Sequence, residues 1–262
     1  MMALAGYVGY GSRQAKMPVS KRGRIIQMDA ELISILLALA ITAIVAFPLG
    51  RPLRKKSLIF YIVATVALVV YLWTVFAGIN TNQYRWLTFM FQKGYMGTFF
   101  LALVMFCGAL PDGNAVKRKL LPIRGELSIM SFIFYIGHIV TYLKSYLPMF
   151  ANFGNLKPTL ATSLVVAVIL TVIFLVLGIT SFKFIRSAMN SKVWRGIQKF
   201  AYLMVALLLV HIAFALGLSL TNLGSTGSVH VIIYAVIIVL YAVLRIYKAA
   251  TDRKKKAAPA AE

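Results

Sequence analysis

Apolar residues in this chain neither alternate nor keep to one helical face; they come in unbroken blocks divided by short polar, mostly basic stretches. Blocks of about 17–24 residues match the roughly 30 Å of a bilayer's hydrocarbon at 1.5 Å per residue. The pattern predicts seven membrane-spanning helices, at 32–47, 58–79, 94–110, 127–147, 159–182, 200–220 and 229–247. Pro48 ends the first, and Pro111-Asp112-Gly113-Asn114 is a strong turn signal after the third. The fold class expected is all-α: a polytopic membrane helical bundle of six core helices plus one extra N-terminal helix. No internal repeat is evident.

The stretches between the blocks set orientation, because Lys and Arg concentrate in short cytoplasmic loops. The first loop holds Arg51, Arg54, Lys55 and Lys56; the third Lys117, Arg118, Lys119 and Arg124; the fifth Lys183, Arg186, Lys192, Arg195 and Lys199. The intervening loops are poorer, with Arg85 and Lys93 in the second, Lys157 in the fourth and no basic residue in the sixth. Basic loops and the C-terminus are therefore expected in the cytoplasm, in the plasma membrane of a prokaryote. Residues 1–30 read as a basic, mobile leader, with Met17 or Met28 as alternative starts. Its five basic residues conflict with an outside N-terminus, so the first span is held less firmly than the other six. Domain organisation follows: leader 1–30, extra span and basic loop 31–56, main membrane domain 57–248, basic tail 249–262.

Composition agrees. Of 262 residues, 61% are hydrophobic, and mean hydropathy is +0.85, against roughly 45–50% apolar in soluble domains. The net charge of +22 raises a nucleic-acid reading. Membrane spans interrupt the basic residues, so no continuous basic surface forms and nucleic acid is excluded as a partner. The tail Arg253-Lys254-Lys255-Lys256 favours anionic membrane lipids. A lone Cys107 permits no intrachain disulfide, covalent c-type haem or iron–sulfur cluster. Six acidic residues, none read as lying inside a span, leave proton-pump and hydrolase chemistry without support.

Against that background the histidines stand out. There are three, and His138 and His211 fall near the middle of the fourth and sixth spans. An intramembrane ionisable residue is a functional-site hypothesis by default. His138 lies about 21 Å along its helix from Arg124, and His211 about 18 Å from Lys199. Spans four and six run in parallel, so the two imidazoles meet at similar depth, towards the outer side. Two facing imidazoles are how a protein holds a b-type haem iron axially. Gly137, Ala213 and Ala215 leave room for a porphyrin edge or let helices pack, and Phe134, Tyr135 and Phe214 are aromatic neighbours that flank it or fill the core. His230, at the outer end of span seven, is a wetted interfacial histidine, a contact for propionates or quinol, or a replacement ligand. Arg85, Lys144 and Lys157, with Tyr142 or Tyr146, are candidates for charge-assisted bonds to propionates, set against ordinary snorkelling. The competing reading is a cofactor-free membrane transporter or scaffold whose histidines tie helices together.

Two motifs carry a family resemblance. Arg124-Gly125-Glu126-Leu127-Ser128, leading to Phe132, Tyr135, His138 and Tyr142, resembles the ligand helix of the ferric reductase-like transmembrane family. Trp194, Tyr202, Leu203 and His211 match a second pattern in that family, which has a further histidine where Gln198 stands here. The resemblance covers about 58–248 and, within the family, looks closest to haem-binding membrane subunits of periplasmic methionine sulfoxide reductases. It implies haem b held by His138 and His211, quinol or flavin supplied by a donor, and an extracytoplasmic reductase or other redox protein as acceptor. Relatives commonly hold two stacked haems. Gln198 and Arg124 or Gly125 occupy the inner ligand positions, so one haem is expected. The chain is then an electron-transfer subunit of an oxidoreductase rather than a complete enzyme.

Overall fold

The computed structural model describes residues 21–80, 82–216 and 226–257. Twelve α-helices make it up: α1 (Lys21–Ala46), α2 (Gly50–Lys55), α3 (Ser57–Phe76), α4 (Arg85–Gln92), α5 (Tyr95–Ala109), α6 (Ala115–Leu120), α7 (Arg124–Phe150), α8 (Pro158–Ile179), α9 (Lys183–Ala188), α10 (Ser191–Gln198), α11 (Phe200–Leu216) and α12 (Thr226–Ala257). No strand occurs among the described residues. Among the described residues six helical segments are long and apolar enough to cross a membrane, or seven if the bent pair α4–α5 is counted as one span. The chain is a multi-pass helical membrane bundle.

Local chemistry fixes the ends. Asn114 caps α6 by accepting from the backbone N–H groups of Val116 and Lys117, and Asn190 caps α10 through the N–H of Lys192. In the turn before α6, the exposed Asp112 carboxylate accepts from Lys117 Nζ at 2.6 Å and sits 3.6 Å from Lys248 of α12. The Lys117 hydrogen bond and charge hold its pKa below the ordinary carboxylate value.

The outer surface carries the large apolar residues, such as Trp73 (70% exposed) and Ile246 (70%), as expected where lipid is the solvent. The interior is built from α3, α4, α5 and α7 around Tyr71, Phe91, Tyr95, Phe100 and Phe134. Phe134 stacks on Phe100 at 5.7 Å, and Phe91 on Tyr71 at 4.8 Å. Small residues set the helix spacing. A Cβ on Gly97 would come within 2.5 Å of Tyr135, and one on Gly178 within 2.0 Å of Phe132.

Three expectations change. Helix α1 begins at Lys21, so residues 21–30 continue the first helix instead of forming a loose leader; residues 1–20 lie outside the description. Far from an appendage, α1 packs against α4 and α5. A helix the sequence did not suggest, α4, precedes the third span and meets α5 at a 46° bend at Lys93–Gly94. Gly94 makes the bend with φ +73°, a conformation that favours a residue without Cβ. The end of span six beyond residue 216 falls outside the described residues, and α12 carries helix through the start of the tail, to Ala257.

Candidate functional site

The bend exposes a problem that the rest of the molecule solves. The last carbonyls of α4 lose their intrahelical partners, and in a membrane interior each must find another. The Lys93 carbonyl accepts from Tyr234 Oη of α12 at 3.0 Å. The Gln92 carbonyl lies 2.7 Å from His138 Nδ1 of α7. A carbonyl only accepts, so that bond requires the proton on Nδ1 and leaves the Nε2 lone pair free. His211 of α11 repeats the arrangement more loosely, with Nδ1 at 3.3 Å from the Ser163 carbonyl of α8 and 3.4 Å from Ser163 Oγ. Neither Nε2 has a hydrogen-bond partner among the described residues.

Both imidazoles line one cavity of about 630 Å³ bounded by α4, α7, α8, α11 and α12. That volume falls among sites that enclose a cofactor-sized ligand, roughly 300–1,000 Å³. Its wall is apolar over most of its area, with Leu164, Phe174, Leu208 and Ile212 among the lining residues. The His138 ring is fixed in plane by Tyr142 (centroids 4.7 Å apart) and Tyr135 (6.1 Å, edge-on). Tyr135 is anchored in turn by Thr98 Oγ1 at 2.7 Å.

The remaining sequence candidates divide. Tyr142, Tyr146, Arg85 and His230 line this cavity. Lys144 does not; its Nζ donates to the Val75 carbonyl at 2.6 Å and sits over the Phe76 ring. Lys157 is also outside the lining, and Phe134 belongs to the core. Gly137 faces Leu68, Phe91 and Tyr71, so its lack of a side chain serves helix packing. Phe214 is 43% exposed on the outer surface. Gln198 Nε2 donates to Thr180 Oγ1 at 3.3 Å, away from the cavity.

His230 is buried, at 4% exposure, where a wetted position was the simplest expectation. It stacks on Tyr95 at 5.1 Å, and its Nε2 lies 2.8 Å from Glu31 Oε1. The same oxygen accepts from Tyr95 Oη at 2.6 Å and lies 3.4 Å from Lys93 Nζ. Glu31 is thus an acid inside the bundle, 1% exposed, which corrects the expectation that no acidic residue lies in a span. It stands one residue before the expected start of span one, and nothing in the local sequence marks it as buried. Its partners come from sequence positions more than sixty residues away.

Among the described residues, no group of three or more His, Cys, Asp or Glu side chains is placed to hold a bare metal ion. Two imidazoles with free Nε2 atoms suit an iron whose other four ligands come from a macrocycle. The cavity offers two nitrogen donors in its lining, carbonyls that fix their tautomer, and an apolar wall.

Fold and cavity together define a multi-pass helical membrane protein with a ligand-sized internal site. No family model matches the chain, and no solved structure matches it. It is similar to an uncharacterised protein of Treponema pallidum (strain Nichols), 27% identical over 224 residues that make up 84% of this chain and 62% of that one. The chain spans about three fifths of that relative's length.

Proposed function

We propose that the chain is a membrane-bound b-type cytochrome subunit in which His138 and His211 would hold the iron of one haem. The observation that carries this reading is the matched pair of imidazoles in one cavity, each with Nδ1 turned to a backbone carbonyl and Nε2 free. A haem so ligated supplies low-spin, one-electron chemistry. The protein's part is local. The Gln92 and Ser163 carbonyls orient the two rings and raise their basicity. Tyr135 and Tyr142 fix the His138 plane, and the apolar wall excludes water and tunes the potential. The donor is quinol or a flavoprotein, and the acceptor an extracytoplasmic redox protein, as the resemblance to ferric reductase-like membrane domains implies. The alternation of basic loops supports a C-terminus on the cytoplasmic side, and on this reading the membrane is the plasma membrane of a prokaryote.

A second reading has one observation in its favour. The helix broken at Gly94 beside the buried Glu31, Lys93 and His230 is the kind of discontinuity that transporters use to bind substrate. One experiment separates the two: the dithionite-reduced minus oxidised visible spectrum of the detergent-purified protein, with a haem-to-protein ratio. A sharp b-type band near one haem per chain, lost in His138→Ala and His211→Ala, is the expected result. No band after haem-supplemented expression sinks the cytochrome reading and leaves the transporter.

A further inference from the structure

Lys93 and Arg85 put two cations into the wall of a cavity that is otherwise largely apolar, and no carboxylate lines it. They sit at the two ends of α4, whose last carbonyls also serve His138 and Tyr234. The Lys93 side chain is 13% exposed, and its ammonium is held from behind by Glu31 Oε1 at 3.4 Å. A buried ammonium is costly unless paired, and Glu31 is the carboxylate paired with it. Glu31 also takes the Tyr95 hydroxyl and the His230 ring, so it is shared, and it stays outside the cavity lining. The result is an amphipathic chamber. Leu164, Phe174, Leu208 and Ile212 present hydrocarbon, while Arg85 and Lys93 present positive charge.

We infer that Arg85 and Lys93 form a carboxylate-binding end, which makes the cavity's ligand an anionic amphiphile with a flat apolar body and one or two acid groups. On the cytochrome reading above, on which this rests, those acids are the haem propionates. The expectation that Lys144 serves them gives way to Lys93, which the bend at Gly94 delivers to the chamber. Charge-assisted bonds of this kind are about twice as strong as neutral ones, and a low-dielectric wall strengthens them further.

The test uses the full chain in detergent, freed of porphyrin and titrated with iron protoporphyrin IX and with its dimethyl ester, which lacks the two acids. The wild type is expected to prefer the free acid by tenfold or more. Lys93→Gln and Arg85→Gln should each cut that preference several-fold while leaving affinity for the ester unchanged, which also shows that the variants fold. Lys93→Arg should keep the preference, and Lys144→Gln should match the wild type. Equal affinity of the wild type for both porphyrins overturns the carboxylate end and leaves the cytochrome reading standing. Loss of both ligands in proportion in Lys93→Gln and Arg85→Gln assigns those residues to structure alone. Failure of the wild type to bind either porphyrin overturns both readings.

Discussion

At the scale of single residues, the histidines were legible because composition made them rare and hydropathy made them costly. Their tautomers were not. The proton on His138 Nδ1 is set by the Gln92 carbonyl, which is free only because the chain breaks helix at Gly94. That glycine carries two constraints at once. Its φ of +73° disfavours any Cβ, and a Cβ there would lie 3.3 Å from both His138 Nδ1 and Tyr135 Cε1. Gly94→Ala should therefore cost about 1–2 kcal/mol from backbone conformation and displace the imidazole as well. The expected outcome is a lower melting temperature in detergent together with weaker haem retention, read from the absorbance ratio. A lowered melting temperature with full retention would detach Gly94 from the site. Gly178→Ala is the contrasting case. Its Cβ would press on Phe132 at 2.0 Å, a ring outside the cavity lining, so a loss of roughly 1–3 kcal/mol by overpacking should appear mainly as lower stability.

At the scale of elements, block length was enough to find the helices, because the bilayer imposes one length on all of them. It could not find the bend. Residues 85–92 read as a polar-edged loop, since Arg85, Gln92 and Lys93 break the apolar run, whereas packing against α1 and α7 supports helix there. The same blindness made α1 look added. Its fastening point is Glu31, whose carboxylate joins α1 to α4, α5 and α12 through Lys93, Tyr95 and His230. Removing one member of a buried ion cluster leaves the others uncompensated, typically at about 3–5 kcal/mol. Glu31→Ala should therefore loosen α1, measured as early protease cleavage between α1 and α3 and a lower unfolding midpoint. An unchanged midpoint would show that apolar contacts alone hold α1. The turn before α6 gives a smaller, pH-dependent effect. The folded-state pKa of Asp112 lies below its unfolded value, so its stabilising contribution is present above the unfolded pKa and is lost as pH falls through the folded one. Asp112→Asn should lower the melting temperature slightly near neutral pH and converge on the wild type in acid, which flattens the acid limb of the profile; the effect is small because the site is fully exposed.

At the scale of the whole molecule, the cytochrome proposal raises the question of how many haems a bundle of this shape would admit, and the two ends of α7 answer differently. Towards the end that carries His138, α7, α8 and α11 line the cavity of about 630 Å³. Towards Arg124 the same bundle is closed by side chains bonded to one another. Ser128 and Ser181 hydroxyls meet at 3.1 Å, Lys183 Nζ lies 3.3 Å from the buried Glu126, and Trp194 Nε1 donates to the Thr180 carbonyl at 3.0 Å. Gln198 stands where the resemblance to ferric reductase-like domains would put a further histidine, and it is tied to Thr180 Oγ1. The residue type was legible in the sequence; only the three-dimensional arrangement shows that polar contacts also fill its neighbourhood. Restoring the residue type should then not restore a second site. Gln198→His is expected to keep about one haem per chain, with the reduced-minus-oxidised spectrum unchanged in position and a single wave in a redox titration. A ratio near two, or a second wave, would show that the inner end opens once a ligand is offered. The single-haem architecture would then be a matter of one side chain rather than of the way α7, α8 and α10 close together.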